Sequence, residues 1–307
     1  MSTDVSDAKT PPLVMSREPK DIGMTLGEAH ARLSAPPLIL ASFAFLLFVA
    51  LTGLFAGSLA PYGYDDQNLA LRLQPPSFAG GPSGHWLGTD DLGRDILSRT
   101  LFSIRISLAT ALIGTILAAC IGTFVGFVAA RFGRWVDEAL MMVVDAQASI
   151  PFLIIALAAL AFFGNSFLLF ALLLGLNGWE SYARVARGLA LSTQSLPHIE
   201  AIRLLGARPW RIYVRHILPA VAGILVVKIT LNFPGTILLE SGLSFLGLGV
   251  QPPLTSLGLM LGAGREFLLF AWWVAVVPGL TIFLTTLSVS MIGDWLRDRL
   301  DPRLRLQ

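Results

Sequence analysis

A lysine at position 228 is the most unusual charged residue of the chain, because it is the ninth residue of a long, mostly apolar stretch, 220–243. At about 1.5 Å per residue, Lys228 stands roughly 13 Å along a helix, near the middle of a hydrocarbon core of about 30 Å. Asn232 and Gly235 follow at i+4 and i+7, so this polar stripe should face a bundle interior or an aqueous path. Lys228 either snorkels or pairs with Asp145, or it presents a positive charge that attracts an anionic group such as a carboxylate.

Four further polar residues lie within or near the ends of apolar stretches. Asp145 and Gln147 precede Pro151, which should kink their helix. These two side chains either hydrogen-bond neighbouring helices near the inner membrane surface or line a cavity. Glu240 and Ser244 lie near the outer end of their stretch, where the helix could simply end and meet water.

A compact charged motif occupies 87–99. Thr89, Asp90 and Asp91 predict the N-cap and acidic first turn of a short amphipathic helix on the outer face. In such a helix, Arg94 and Arg99 would pair with the aspartates. Asp90, Asp91 and Asp95 lack a regular spacing of oxygen ligands for calcium, so we expect no metal site.

The segment 189–219 predicts a helix, a sharp glycine turn and a second helix. Ser195-Leu-Pro is a helix-start signal with Ser195 as N-cap, and an apolar stripe then recurs at spacing three: Leu196, Ile199, Ile202 and Leu205. Gly206 should end the first helix in a left-handed conformation, and Pro209 should begin the second. The pair either lies on a membrane surface with its arginines over the headgroups, or inserts into a groove of a partner protein.

Residue patterns for catalysis are not found in the sequence. None of the three lysines, Lys9, Lys20 and Lys228, follows a glycine as a phosphate-binding Gly-x4-Gly-Lys-Ser/Thr loop requires. Cys120 is the single cysteine, so no intrachain disulfide can form and no Cys/His metal spacing exists. We therefore predict no catalytic residue, no metal and no cofactor bound by this chain itself.

The composition indicates which elements position these residues. The 307 residues are 54% hydrophobic and 14% charged, with a mean hydropathy of +0.70. Four stretches have no charged residue, and each is longer than the roughly 20 residues that a helix needs to cross a bilayer: 33–64, 106–130, 146–179 and 267–293. This excludes an ordinary soluble enzyme and predicts six transmembrane helices, at 37–59, 103–130, 140–163, 167–185, 220–243 and 268–292.

The distribution of basic residues predicts the orientation. With both termini inside, the outer segments hold five basic residues: Arg72, Arg94, Arg99, Arg105 and Arg265. The inner segments hold sixteen: Lys9, Arg17, Lys20, Arg32, Arg131, Arg134, Arg184, Arg187, Arg203, Arg208, Arg211, Arg215, Arg297, Arg299, Arg303 and Arg305. Positive charge marks the cytoplasmic side, so both termini and the segment 189–219 should be cytoplasmic. The net charge of +2 and the lack of a basic stripe give no indication of nucleic acid.

The segment 200–219 resembles the EAA loop of bacterial ABC-importer permeases. The matching residues are Glu200-Ala201-Ile202, Gly206 after three residues, and His216-Ile217-Leu218-Pro219 after nine more. Ile202 replaces the second Ala of that pattern, and His216 is typical of the peptide branch. Further segments are similar to the C-type subunit of the dipeptide, oligopeptide and nickel branch: 87–99, 133–137, 244–253 and 293–303.

This resemblance implies an all-α, polytopic membrane protein with the type I importer fold. It implies a tail at 1–36, a first transmembrane helix at 37–60, an extracytoplasmic loop with a short helix at 61–102, a core at 103–293 and a C-terminal tail at 294–307. The implied contacts with the ATPase lie in the coupling loop 189–219: Ile199, Glu200, Ala201, Arg203, Gly206, Ala207, Arg208, Pro209, Leu218 and Pro219. The candidate translocation path comprises Asp145, Gln147, Lys228, Asn232, Glu240 and Ser244, with the stretch around Glu240 as part of an external gate. The family commonly has Gln where this chain has Lys228.

The resemblance also implies partners and location. These are a second homologous permease, two cytoplasmic ATPases that carry ATP and magnesium, an extracytoplasmic substrate-binding protein and the lipid of a bacterial inner membrane. The cargo would be di- or oligopeptides, with a nickel chelate, an opine or another small solute as the alternative. A stand-alone secondary transporter is a more distant alternative, because such proteins commonly need two repeated bundles. An intramembrane enzyme would need a catalytic set within the spans, yet all four histidines lie in loops or tails.

Overall fold

The computed structural model describes residues 36–300, and this part of the chain is built from helices, with an isolated bridge between Thr89 and Asp95 in place of any strand. In chain order the α-helices are α1 (Pro37–Leu54), α2 (Ala56–Leu59), α3 (Ile96–Phe132), α4 (Arg134–Ser149), α5 (Phe152–Phe163), α6 (Phe167–Leu176), α7 (Trp179–Gln194), α8 (Pro197–Leu204), α9 (Pro209–Ile212), α10 (Leu218–Phe245), α11 (Leu257–Gly264) and α12 (Trp273–Leu300). A π-helical turn, Tyr213–Ile217, joins α9 to α10, and short 3₁₀ turns lie at Leu69–Leu71, Ser77–Ala79 and Arg265–Phe267. Residues 1–35 and 301–307 of the predicted tails lie outside the described residues.

The predicted all-helical membrane architecture is confirmed, but six unbroken spans are not present in the described residues. Four helical stretches are long and apolar enough to cross a bilayer: Pro37–Leu54, Ile96–Phe132, Pro209–Phe245 and Trp273–Leu300. A fifth span results if α4 and α5, which meet at 87°, are one broken helix. The predicted fourth span, 167–185, is instead the short apolar helix α6 followed by α7.

Local chemistry explains both breaks. Pro151 has no amide hydrogen to donate, and it stands as the N-cap of α5. Gly178, the N-cap of α7, has φ +81°, a conformation that favours glycine. α5 and α6 have 12 and 10 residues and flank the connection 164–166. At about 1.5 Å per residue they extend for roughly 15–18 Å, about half the thickness of a ~30 Å core. Pro151 and Gly178 line one cavity, so the two breaks lie next to each other.

Two other boundaries differ from the prediction. The expected short helix within 61–102 does not form, because residues 89–94 make a bridge and turns, and α3 begins at Ile96 and continues to Phe132. Asp95 is the N-cap of α3, since its carboxylate accepts from the amide of Ser98 at 2.8 Å. The last helix begins at Trp273, five residues after the predicted 268. The outer motif therefore starts a transmembrane helix, and it is not a separate surface element.

Small residues allow α3 to lie close to α6 and α7. A Cβ at Gly122 or Gly126 would collide with the backbone of α7, and one at Gly114 would stand 2.6 Å from the Cβ of Leu174 in α6. Such contacts between small residues are the usual way in which helices associate in membranes. The close approach fixes the N-terminal end of α7, which carries Trp179 and Tyr182, against α3 and Val144 of α4.

Candidate functional site

A polar cluster lies where α4, α7 and α10 meet, next to the two helix breaks. Gln147 connects the elements on either side of the second break, because its Nε2 donates to the carbonyl of Leu176 at 2.8 Å and its Oε1 accepts from Trp179 Nε1 at 2.7 Å. A cavity of about 230 Å³ opens beside it. Its lining comprises Gln147, Ala148, Ile150, Pro151, Phe152, Asn177, Gly178 and Glu180.

Lys228 lies between α10 and α7 in this cluster. Its Nζ donates to Ser181 Oγ at 2.8 Å and stands 5.2 Å from the ring centroid of Tyr182. The hydroxyl of Tyr182 in turn donates to the carbonyl of Lys228 at 3.3 Å. The alternative pairing of Lys228 with Asp145 is not observed, because Asp145 Oδ1 accepts from Arg184 Nη1 at 3.1 Å.

The predicted path residues divide into two groups. Asp145, Gln147, Lys228 and Asn232 belong to the polar cluster, in which Asp145 is exposed and the other three are half-buried. Polar groups on the surface of a helix at membrane depth are strongly disfavoured against lipid. This face of the chain therefore meets an aqueous space or another protein subunit.

Glu240 and Ser244 form the second group, and neither is exposed. The Glu240 carboxylate accepts from Ser244 Oγ at 3.0 Å and Ser241 Oγ at 3.3 Å, with Ser107 of α3 and Ser256 at the start of α11 also close enough to bond it. The expectation of a helix end meeting water is wrong for Glu240, since its exposed fraction is 0%. Its carboxylate joins α3, α10 and α11, and a role in an external gate stays a prediction.

The helix–glycine–helix segment has the predicted backbone. Gly206 has φ +81°, its amide donates to the carbonyl of Arg203, and the amide of Ala207 donates to the carbonyl of Ile202. These two bonds form a Schellman motif, which ends α8 and turns the chain sharply toward Pro209. The N-cap of α8 is Leu196 and not Ser195, with Pro197 in the first turn.

One side of this segment packs against other helices, and the other side is exposed. Ile199, Ile212, Tyr213 and Ile217 are buried in a cluster with residues of α3, α7 and α10: Ala130, Ala186, Ala190, Val221 and Leu225. Within the predicted apolar stripe, Ile199 is buried and Ile202 half-buried. Leu196 and Leu205 are exposed, and Leu205 is 86% exposed beside Leu204 at 88%. Trp210 is 74% exposed. The remaining predicted contact residues are exposed, except the half-buried Ala207: Glu200, Ala201, Arg203, Gly206, Arg208, Pro209, Leu218 and Pro219.

The outer motif is organised around Asp90, whose exposed fraction is 1%. Its Oδ1 accepts from the amides of Leu92 and Arg94, both at 2.9 Å, and its Oδ2 accepts from Arg94 Nε at 2.7 Å and from Arg99 Nη1. Asp95 accepts from His85 Nδ1 at 2.9 Å. Asp91 is more exposed and lies 3.8 Å from Arg94. The predicted pairing of arginines with aspartates is therefore present, within a turn and not within a helix.

Three residues of the polar cluster were missed by sequence reasoning: Glu180, Ser181 and Tyr182. Glu180 and Ser181 directly follow a charge-free stretch, at the polar end of the predicted fourth span, 167–185. Asp137 belongs to the segment 133–137, but nothing in the sequence indicated its partner. That partner is Arg187, 50 positions later, which donates two hydrogen bonds to the carboxylate of Asp137. The only available signal was the stretch Asn177-Gly178-Trp179-Glu180, which interrupts an otherwise apolar segment.

Comparisons with known proteins agree on one kind of protein. Residues 122–306 match the family described as binding-protein-dependent transport system inner membrane component, and residues 25–76 match the N-terminal TM domain of oligopeptide transport permease C. The chain is 37% identical to a glutathione transport system permease protein of Pectobacterium atrosepticum, over 85% of both chains. It is 36% identical to a di/tripeptide transport system permease protein of Pseudomonas aeruginosa, over 85% of this chain and 86% of the relative. Its identity to an oligopeptide transport system permease protein of Mycobacterium tuberculosis is 38%, over 86% of this chain and 90% of the relative.

Proposed function

Because this chain belongs to the binding-protein-dependent transport system inner membrane components, we propose that it forms half of the translocation pathway of an ATP-driven importer that moves di- or oligopeptides inward. The names of its relatives support the cargo, since glutathione, di/tripeptides and oligopeptides are all peptides. The single observation that carries the proposal is the segment around Gly206. It has one face packed onto α7 and α10, and its exposed face includes the large apolar side chains of Leu204, Leu205 and Trp210.

The proposed assembly contains a second homologous permease, two ATPases that bind ATP and magnesium, and an extracytoplasmic binding protein that delivers the solute. It would lie in the bacterial inner membrane, with both termini cytoplasmic. The exposed Leu204, Leu205 and Trp210 form an apolar tip. A cleft in the ATPase would cover this tip, in the manner of a helix in a groove.

The packing suggests how a displacement of the apolar tip would be transmitted to the membrane helices. Ile199, Ile212 and Ile217 are fully or almost fully buried against α7 and α10, so these helices should move together with the tip. α7 and α10 also carry Ser181, Tyr182 and Lys228 of the polar cluster. Closure of the ATPases on ATP would thus rearrange the elements around the cluster and switch its access from one side of the membrane to the other.

Co-purification tests the partner assignment. When the chain is purified from cells together with the products of its neighbouring genes, we expect an ATPase to co-elute. Leu205→Glu should reduce that co-elution by about tenfold or more, because it places a charge in the apolar contact. Leu269→Glu is a matched control, since Leu269 is 99% exposed and lies in the connection before α12, on the predicted outer side. Failure of any ATPase to co-elute, or an equal loss in both variants, would contradict the assignment.

Lys228→Gln tests the role of the intramembrane charge. The substitution keeps a polar group that can hydrogen-bond Ser181 but removes the positive charge, so we expect a changed preference among peptides or an uptake rate lowered by a few-fold. Lys228→Arg, which keeps the charge, is the control. The measurement compares ATP-dependent uptake of peptides with a free and an amidated carboxyl end. Unchanged rate and selectivity in Lys228→Gln would show that the positive charge has no role in solute recognition.

A further inference from the structure

The cavity at the two helix breaks contains a carboxylate that lacks a partner. Glu180 lines this cavity, and its Oε2 is buried without a hydrogen-bond partner among residues 36–300. The nearby cations are engaged elsewhere. Arg184 donates to Asp145, and Lys228 donates to Ser181, although the charge of Lys228 is still close enough to interact with that of Glu180.

A buried carboxylate oxygen without a protein donor is unfavourable, because the protein does not replace its lost hydration. Buried polar atoms in folded proteins are almost always hydrogen-bonded, and the exceptions are frequently functional. Glu180 stands in the first turn of α7, where the positive end of the helix favours an acidic residue. This position explains the negative charge but not why one oxygen is buried without a protein donor.

The position of the cavity also indicates a ligand. Both breaks line this cavity, and α5 and α6, which flank the breaks, are each long enough for only about half of a bilayer core. Discontinuous helices of this kind form the solute sites of many secondary transporters. The cavity of about 230 Å³ is smaller than the 300–1,000 Å³ that is usual for a complete small-molecule site. It has room for one end of a solute, with the side chain of Asn177 on its wall as a further polar group.

We propose that this cavity is a subsite for a primary ammonium group of the solute, namely the free amino end of a peptide, with Glu180 as its counter-ion. This inference rests on the proposed peptide cargo. An ammonium group supplies three donors, and a charge-assisted bond from one of them to the Glu180 carboxylate would compensate its negative charge. The pair Asp145–Arg184 is neutral overall, so the other charged residues described in the cluster are Glu180 and Lys228, whose charges interact with each other. They have opposite signs, as a zwitterionic peptide requires.

Ligand-induced stabilisation tests the subsite directly. The permease–ATPase complex, without the binding protein, is placed in lipid nanodiscs, and its melting temperature is measured against the concentration of Ala-Ala and of N-acetyl-Ala-Ala. The second probe lacks the ammonium group. We expect the wild type to favour Ala-Ala, and Glu180→Gln to lose about tenfold or more of its apparent affinity for Ala-Ala alone. Glu180→Asp should retain the preference, because it keeps the charge.

Glu138→Gln is the matched control, since Glu138 is an exposed carboxylate on α4, outside the cavity lining. It should behave as the wild type does. The proposal is overturned if the wild type responds equally to both probes, which includes no response, or if the preference for Ala-Ala survives in Glu180→Gln. An equal loss for both probes would assign Glu180 a purely structural role. Uptake by the complete transporter is measured separately. The absence of any ATP-dependent peptide uptake would refute the proposed function, whereas the melting experiment tests the subsite.

Discussion

Gly206→Val is expected to lower ATP-dependent peptide uptake by about tenfold or more while the permease still assembles with its ATPases. Gly206 has φ +81°, and a β-branched residue is strongly disfavoured in this left-handed region. No described atom lies within 4 Å of the position that a Cβ would take, so the substitution causes no collision in the packed core. The substitution should therefore change only the conformation of the Schellman turn and the angle between α8 and α9.

Three variants separate this effect from a general loss of folding. Gly206→Asn should retain most uptake, because Asn tolerates the left-handed conformation far better than Val does. Gly206→Ala should be intermediate, at a cost of about 1–2 kcal/mol. In Gly206→Val, ATP hydrolysis should continue in the purified complex while uptake into proteoliposomes falls. Normal uptake by Gly206→Val would refute the assignment of this turn to coupling.

Asp90→Asn should cause the largest loss of stability among single substitutions in the outer motif. Asp90 compensates the charge of Arg99, which is only 5% exposed, and Arg99 Nε already has no hydrogen-bond partner among the described residues. Removal of one member of a buried ion pair typically costs about 3–5 kcal/mol, since the other charge remains buried and uncompensated. Thermal unfolding of the purified permease should therefore begin several degrees lower.

Asp91→Asn is the control for that substitution. Asp91 lies one residue later and is 32% exposed, and its contact with Arg94 at 3.8 Å is a surface ion pair, which contributes about 0–1 kcal/mol. Combining Asp90→Asn with Arg99→Met should restore part of the lost stability, because the buried charge of Arg99 is no longer left uncompensated. Equal melting temperatures of Asp90→Asn and Asp91→Asn would show that the buried pair does not organise the motif.

The features that depend on residues close together in the sequence could be predicted. Charge-free stretches predicted the membrane helices, and the spacing of Pro197, Gly206 and Pro209 predicted the helix–glycine–helix segment. The helix start in the outer motif was predicted at Thr89–Asp91 and not at Asp95, because Asp90 and Asp95, five residues apart, are both plausible N-terminal acidic residues. Asp90 binds within its own turn, whereas Asp95 caps the helix.

The features that depend on distant parts of the chain could not be predicted. Glu240 had no visible reason to be buried, because Ser107 belongs to another helix far away in sequence. The two helix breaks come from Pro151 and Gly178, but only the folded chain places them next to each other with one cavity between them. For the same reason Glu180, which looked like the polar end of a span, was not among the predicted path residues.

Transport by the reconstituted complex is the most direct test of the central proposal, that this chain is half of an ATP-driven peptide importer. The permease is placed in proteoliposomes with its homologous partner and its ATPases, and a labelled dipeptide is supplied together with the binding protein. We predict that uptake requires ATP, the ATPases and the binding protein, and that a proton gradient cannot replace them. Uptake by this chain alone, driven by an ion gradient and independent of ATP, would contradict the account and favour a secondary transporter.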